Sequence, residues 1–260
     1  MTWLVLASTA SPATGHDFWI EPSTFRPRVG QPVGIGLRVG DQFKGQTVAR
    51  TPDRIVKFIS VGAGGETSIP GRAGADPAGL VRLTMRGTHV LGYRSNHAFT
   101  EMEAVRFEEY LEEKGLEKIL ARRKELGQTD KKAREAYSRC SKSLIGVGDG
   151  AGEGGDRVIG FTLEIVSESN PYEEAAGSEL AFRLAYEGKP LQGALVTATR
   201  RGAADQKLSA RTDAAGLVRF TLGEAGIWLI ACVHMVEAPQ GLDAEWESHW
   251  ASLTFELPAA

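Results

Sequence analysis

The sequence holds five histidines, and two of them are spaced so that their imidazoles could meet. His234 has the strand parity of Trp228, Ile230 and Cys232, and His249 that of Ala251, Leu253, Phe255 and Leu257. Alternate residues of a strand share a face, so both imidazoles are expected on an apolar face, where each needs a partner. Glu237 to Trp246, between the two strands, reads as a loop containing Pro239 and Gly241. A hairpin centred between Gly241 and Leu242 opposes residues whose numbers sum to 483, as 234 and 249 do. Opposed Cβ atoms stand about 4.5–5.5 Å apart, near enough for two imidazoles to share a metal ion. His89, beside Val90 and Leu91, and His97, in the loop that follows, each read as structural.

The chemistry of His16 depends on what precedes it. Residues 1–15 contain no Lys, Arg, Asp or Glu; they carry the apolar run Trp3–Ala7 and end on Ala13-Thr14-Gly15. Small residues after an apolar run are what a signal peptidase reads, so 1–15 is expected to be a signal peptide and the protein periplasmic or secreted. Cleavage after Gly15 would leave His16 with a free α-amine beside its own Nδ1, two nitrogens able to chelate one ion. Both groups deprotonate near neutral pH. Nitrogen donors of this kind suit Ni²⁺ or Cu²⁺. The expected metal site is therefore His16, His234 and His249, with Asp17 or Glu247 as a source of oxygen. The simpler alternative is that His16 only begins the first strand.

Other chemistry is missing from the pattern. There is no Gly-x-Ser-x-Gly, His-Glu-x-x-His or Cys-x-x-Cys motif. Gly146 to Gly155 is rich in glycine but lacks the Lys-Ser or Lys-Thr that closes a phosphate loop, so it reads as a linker. Cys140 and Cys232 are expected as two buried thiols or one bridge.

The elements that must position these groups are mostly strands. Of 260 residues, 42% are hydrophobic and 24% charged, with a formal net charge of −3. That is the balance of a folded globular chain, without the basic field that nucleic acid binding needs. No stretch approaches the roughly 18 apolar residues of a spanning helix, so the chain is not expected to cross a membrane. Residues 16–99 read as an N-terminal β-domain: Val33, Ile35, Leu37 and Val39 alternate, as do Val81, Leu83 and Met85. Residues 100–145 read as a helical insertion. Thr100 and Glu103 have capping-box spacing, Gly115 interrupts, and Ala133, Ala136, Tyr137, Cys140 and Leu144 form a helical stripe. Residues 146–157 are the glycine-rich linker, and 158–260 a C-terminal β-sandwich of short strands with frequent turns. The expected fold is mainly β: two immunoglobulin- or transthyretin-like units with helices between them.

Several segments together resemble a known family. They include His16-Asp17-Phe18-Trp19-Ile20-Glu21-Pro22, Gly30-Gln31-Pro32-Val33, Arg38-Val39-Gly40-Asp41 and Tyr93-Arg94-Ser95-Asn96. Val233-His234-Met235-Val236 and Trp250-Ala251-Ser252-Leu253-Thr254-Phe255-Glu256 extend the likeness towards the end of the chain. The chain is similar to the bacterial periplasmic family of unknown function associated with nickel and cobalt uptake. The resemblance implies an exported β-sandwich that binds nickel or cobalt as a non-enzymatic accessory, with a membrane metal transporter component as its partner; copper is a further candidate because nitrogen donors bind it more tightly. The resemblance also implies that His16 directly follows the leader. One rival is a metal-free binding module whose Trp19, Trp228, Trp246 and Trp250 face a glycan or protein. Another is an oxidative enzyme resembling the copper-brace family, in which an N-terminal histidine and a second histidine hold copper.

Overall fold

A computed structural model of the chain describes residues 16–148 and 154–259. The expected leader, 1–15, and linker residues 149–153 lie outside the described part. In chain order the strands begin with β1 (Asp17–Pro22), β2 (Pro32–Asp41), β3 (Lys44–Thr47), β4 (Ile55–Gly62) and β5 (Gly65–Ser68). Next come β6 (Gly79–Arg82), β7 (Gly87–Ser95) and β8 (Ala98–Met102), then helices α1 (Ala104–Glu113) and α2 (Glu117–Glu125). The chain returns to strands with β9 (Ala133–Val147), β10 (Leu163–Ser167), β11 (Glu179–Tyr186) and β12 (Lys189–Pro190). It ends with β13 (Leu195–Arg200), β14 (Leu208–Arg211), β15 (Leu217–Thr221), β16 (Gly226–Glu237) and β17 (Trp246–Leu257).

The fold is mainly β, in stacked sheets with two short helices. A nine-stranded sheet in the order β14-β13-β16-β17-β9-β7-β4-β5, with β8 also paired to β9, forms the middle layer. β1, β2, β3 and β6 make a second sheet, and β10, β11, β12 and β15 a third. Strand alternation explains how the middle sheet serves both. Leu144 of β9 and Val90 of β7 join the core under β10, β11 and β15. Their neighbours Ile145 and Leu91 point the other way, into the core under β1, β2 and β6. The expected pair of sandwiches is thus two sheet-on-sheet packings sharing one layer, with strands from both 16–99 and 158–260 in it. The helices cover the same face as β1, through Phe107, Leu111, Trp246 and Trp250.

The helical stripe at Ala133–Leu144 is corrected: these residues belong to β9, a 15-residue strand. It pairs in parallel with β17 and antiparallel with β7 and β8. Nearly every residue of β9 is buried, so its apolar positions carry no alternation, and their spacing matches a helix by coincidence. Thr100, expected as a helix cap, lies in β8, and the residue that caps α1 is Glu103, without a side-chain hydrogen bond. Gly115 does break the helices apart. It adopts φ +67°, and a Cβ there would meet the Cβ of Leu195 at 2.7 Å. None of the described helices is long and apolar enough to cross a membrane. Cys140 and Cys232 are both buried free thiols.

Candidate functional site

The β16–β17 hairpin has the register expected from its loop: His234 is paired with His249. Its turn is closed by Leu242 N–H donating to the Pro239 carbonyl and by Ala238 N–H donating to that of Glu245. Both histidines share a face with Cys232 and Ala251, towards the third sheet, as their parity requires. Tyr186, at the end of β11, covers them. Its ring centroid is 4.5 Å from that of His234 and 5.5 Å from that of His249.

The sequence reasoning missed His97. β9 changes partner at Ser138 and Arg139, pairing with β8 up to Tyr137 and with β7 from Cys140. The β7–β8 corner sits in that gap. Ser95 Oγ accepts from Arg139 N–H at 3.0 Å, Asn96 Nδ2 donates to the Asp53 carbonyl at 2.7 Å, and Arg54 donates to the His97 carbonyl. With its backbone held, His97 presents its ring to Glu247 of β17. Its Nε2 lies 2.8 Å from Glu247 Oε1. Glu247 shares strand parity with His249, and the same oxygen is 3.5 Å from His249 Nε2.

His249 is 3% exposed, its Nδ1 is 2.8 Å from Ser138 Oγ, and its Nε2 has no hydrogen-bond partner. A buried polar nitrogen without a partner costs free energy. Burial above all, and then electrostatic coupling to His97, His234 and Arg94, lowers the His249 pKa from 6.5 to about 4. His234 is lowered to about 4 by burial and by Lys118. Both rings are therefore neutral near pH 7, the form in which imidazole offers a lone pair. Among the described residues, no group of three or more His, Cys, Asp and Glu side chains is ready-made to hold a metal ion. The donors of His97, Glu247 and His249 are adjacent, but the first two are already joined by a hydrogen bond.

These shifts fix a pH dependence for the metal-free protein. An unfolded histidine takes up a proton below about pH 6.5, while the folded sites resist until about pH 4. The unfolded state binds more protons in that window, so stability should fall as pH drops from 6.5 towards 4 and level off below. Urea unfolding at stepped pH should show this decline, on the order of a few kcal/mol, with a shallower decline in His249→Gln. Because the raised pKa values of buried Asp17, Glu135 and Asp156 act with the opposite sign, the comparison is decisive: a His249→Gln profile parallel to that of the unsubstituted protein would contradict the buried neutral ring.

The structure does not bring His16 to this site. β1 lies on the opposite face of the middle sheet: Ser141 Oγ donates to the Phe18 carbonyl, and Thr254 Oγ1 to that of Ile20. Arg139, on that face, donates to the His16 carbonyl at 2.9 Å, and His16 Nε2 is 2.9 Å from Asp41 Oδ2. Asp17 stands 4.0 Å from Lys114 Nζ, and burial raises its pKa. Asp17 and Asp41 line a cleft of about 430 Å³ together with Lys114 and Lys207. The expected site of His16, His234 and His249 is thus divided by the sheet; Asp17 stays with His16, and Glu247 with His249. Trp19, Trp228, Trp246 and Trp250 are 6% exposed or less, so they are core residues and present no binding surface.

No curated protein matches the chain. Among solved structures, the D0-D1 domain of Intimin is similar over 92% of this chain and 97% of that one, at 10% identity. The TM-score is 0.21, too low to bear on fold or function. His97 and His234 lie within residues 13–236, which match a known family, whereas Glu247 and His249 lie beyond them. That match spans most of the sequence, and the chain belongs to the family described as Domain of unknown function (DUF4198).

Proposed function

We propose that this protein is an exported, non-enzymatic transition-metal-binding protein that holds a divalent ion with His97, Glu247 and His249. The observation that carries the reading is His249 Nε2, buried without a hydrogen-bond partner and 3.5 Å from a carboxylate oxygen that His97 also engages. Two imidazoles and one carboxylate form a donor set that first-row divalent ions accept. The ion takes the place of the proton in the His97–Glu247 hydrogen bond, so the apo arrangement is a closed pair beside a waiting nitrogen. Ser138 fixes the His249 ring through Nδ1 and leaves Nε2 as the donor. The side chain of His97 is 34% exposed and is the solvent side of the site, through which an ion enters. Nickel and cobalt are the metals indicated by the resemblance in the sequence, and copper is added because nitrogen donors bind it more tightly. The same resemblance supports a membrane transporter as the receiving partner.

Calorimetric titration with Ni²⁺, Co²⁺ and Cu²⁺ tests the reading. His249→Ala and His97→Ala should each weaken binding at least about tenfold, the scale on which altered ligand surroundings act. His16→Ala, on the far face, should leave the affinity unchanged. Absence of binding by the unsubstituted protein, or loss of binding only in His16→Ala, would sink the proposal.

A further inference from the structure

The glycine-rich stretch ends at Asp156, whose side chain is fully buried against a lysine. Lys142 Nζ, on β9, lies 2.7 Å from Asp156 Oδ1 and 3.2 Å from Glu164 Oε1, on β10. The side chains of Lys142, Asp156 and Glu164 are 1%, 0% and 3% exposed. This cluster takes no part in the metal reading.

We propose that Lys142 and Asp156 condense to an intramolecular isopeptide bond with Glu164 as the proton carrier. In this step Glu164 takes a proton from the Lys142 ammonium, and the free amine attacks Cγ of Asp156 in its carboxylic acid form. The new N–C bond gives a tetrahedral oxyanion. The C–O bond to the departing hydroxyl then breaks as Glu164 gives it that proton, so that it leaves as water, and Glu164 takes up the second proton of the attacking nitrogen. One ammonium and one carboxylic acid become an amide, one water and a proton that stays on Glu164, without oxidant, cofactor or other reactant.

Each requirement of that step has a group in place. Burial raises the Asp156 pKa, which favours the acid form. Ser167 N–H donates to Asp156 Oδ2 at 2.9 Å and Arg157 N–H to Oδ1 at 2.7 Å, so a fixed backbone donor meets whichever oxygen becomes the oxyanion. The amine is aimed by the carbonyls of Arg157 at 2.9 Å and Ile165 at 3.0 Å. Glu164 is held by the N–H groups of Ile159, Gly160 and Phe161 at 2.8–3.0 Å. Two reactants fixed in contact and shielded from water gain the rate advantage of an intramolecular reaction. Replacing a buried ion pair by a neutral bond also removes a desolvation cost. The bond would join the central strand to the far end of the glycine-rich stretch and close that segment into a covalent ring.

The test is the intact mass of the denatured, purified protein after its N-terminus has been sequenced. The expected mass is one water below that of the sequence, and digestion should yield a branched peptide joining Lys142 to Asp156. Lys142→Arg should have its full sequence mass, as should Glu164→Gln over the same period. A wild-type protein at full mass, with Lys142 and Asp156 recovered in separate peptides, overturns the proposal. So does a water loss that maps elsewhere, such as a succinimide at Asp149-Gly150. A crosslink formed to the same extent in Glu164→Gln overturns the role given to Glu164.

Discussion

In the chain whose Lys142 and Asp156 are still an ion pair, before any condensation, replacing Lys142 with methionine is expected to destabilise the folded protein by about 3–5 kcal/mol, the cost of leaving a buried charge without its partner. Methionine fills much of the same volume, so the loss is electrostatic rather than a cavity. Without the ammonium, the carboxylates of Asp156 and Glu164 face each other with no side-chain cation between them. The carbonyls of Arg157 and Ile165 also lose their donor. Urea unfolding should show a lower midpoint with an unchanged slope. Adding Asp156→Leu to Lys142→Met should return part of the stability, because one uncompensated charge is then gone. A single variant within about 1 kcal/mol of wild type, the scale of an exposed ion pair, would show that water reaches the cluster.

Trp246→Ala should be comparably damaging, at about 3–5 kcal/mol, the usual range for removing a large buried aromatic side chain. Trp246 is fully buried at the start of β17, in a core formed with Phe107, Tyr110 and Leu111 of α1 and Ile119 of α2. Helices of 10 and 9 residues are too short to persist alone in water, so they depend on this contact. The helical contribution to far-ultraviolet circular dichroism should therefore fall at lower denaturant than the near-ultraviolet signal of the β-cores. Coincident loss of both signals would mean that the helices unfold only with the sheets.

What could be read from the sequence followed the reach of each signal. The His234–His249 register was readable because a two-strand hairpin has one geometric unknown, its centre, and Pro239 and Gly241 mark it. Val33, Ile35 and Leu37 were readable because Gly34, Gly36 and Arg38 alternate with them, so that large apolar side chains fall on one face of β2. β9 was not readable for the opposite reason. It is buried on both faces and carries Ser138, Arg139, Ser141 and Lys142 inside, each with a partner elsewhere in the chain. No local pattern marks such a strand.

The site was legible to the same extent. Alternation gives the face that each histidine takes within its own sheet, but not which face of that sheet another strand will cover. His16 was therefore expected beside His249, while β1 docks across the sheet from it. His97 gave no periodic signal, being a corner residue. Its place beside Glu247 arises where β9 exchanges β8 for β7, a feature of topology rather than of neighbouring residues.

That exchange, with the parallel β9–β17 pairing, bears on how the chain is made. β17 follows every other strand in sequence and yet lies inside the middle sheet, between β16 and β9. Until it emerges from the ribosome, one flank of β9 has unsatisfied amides and carbonyls, an invitation to pair with another chain. Pairings this distant in sequence also close slowly. The growing chain is therefore open-edged from the completion of β9 at Val147 until β17 follows about a hundred residues later, and shielding of that edge by a chaperone would govern yield more than final stability does.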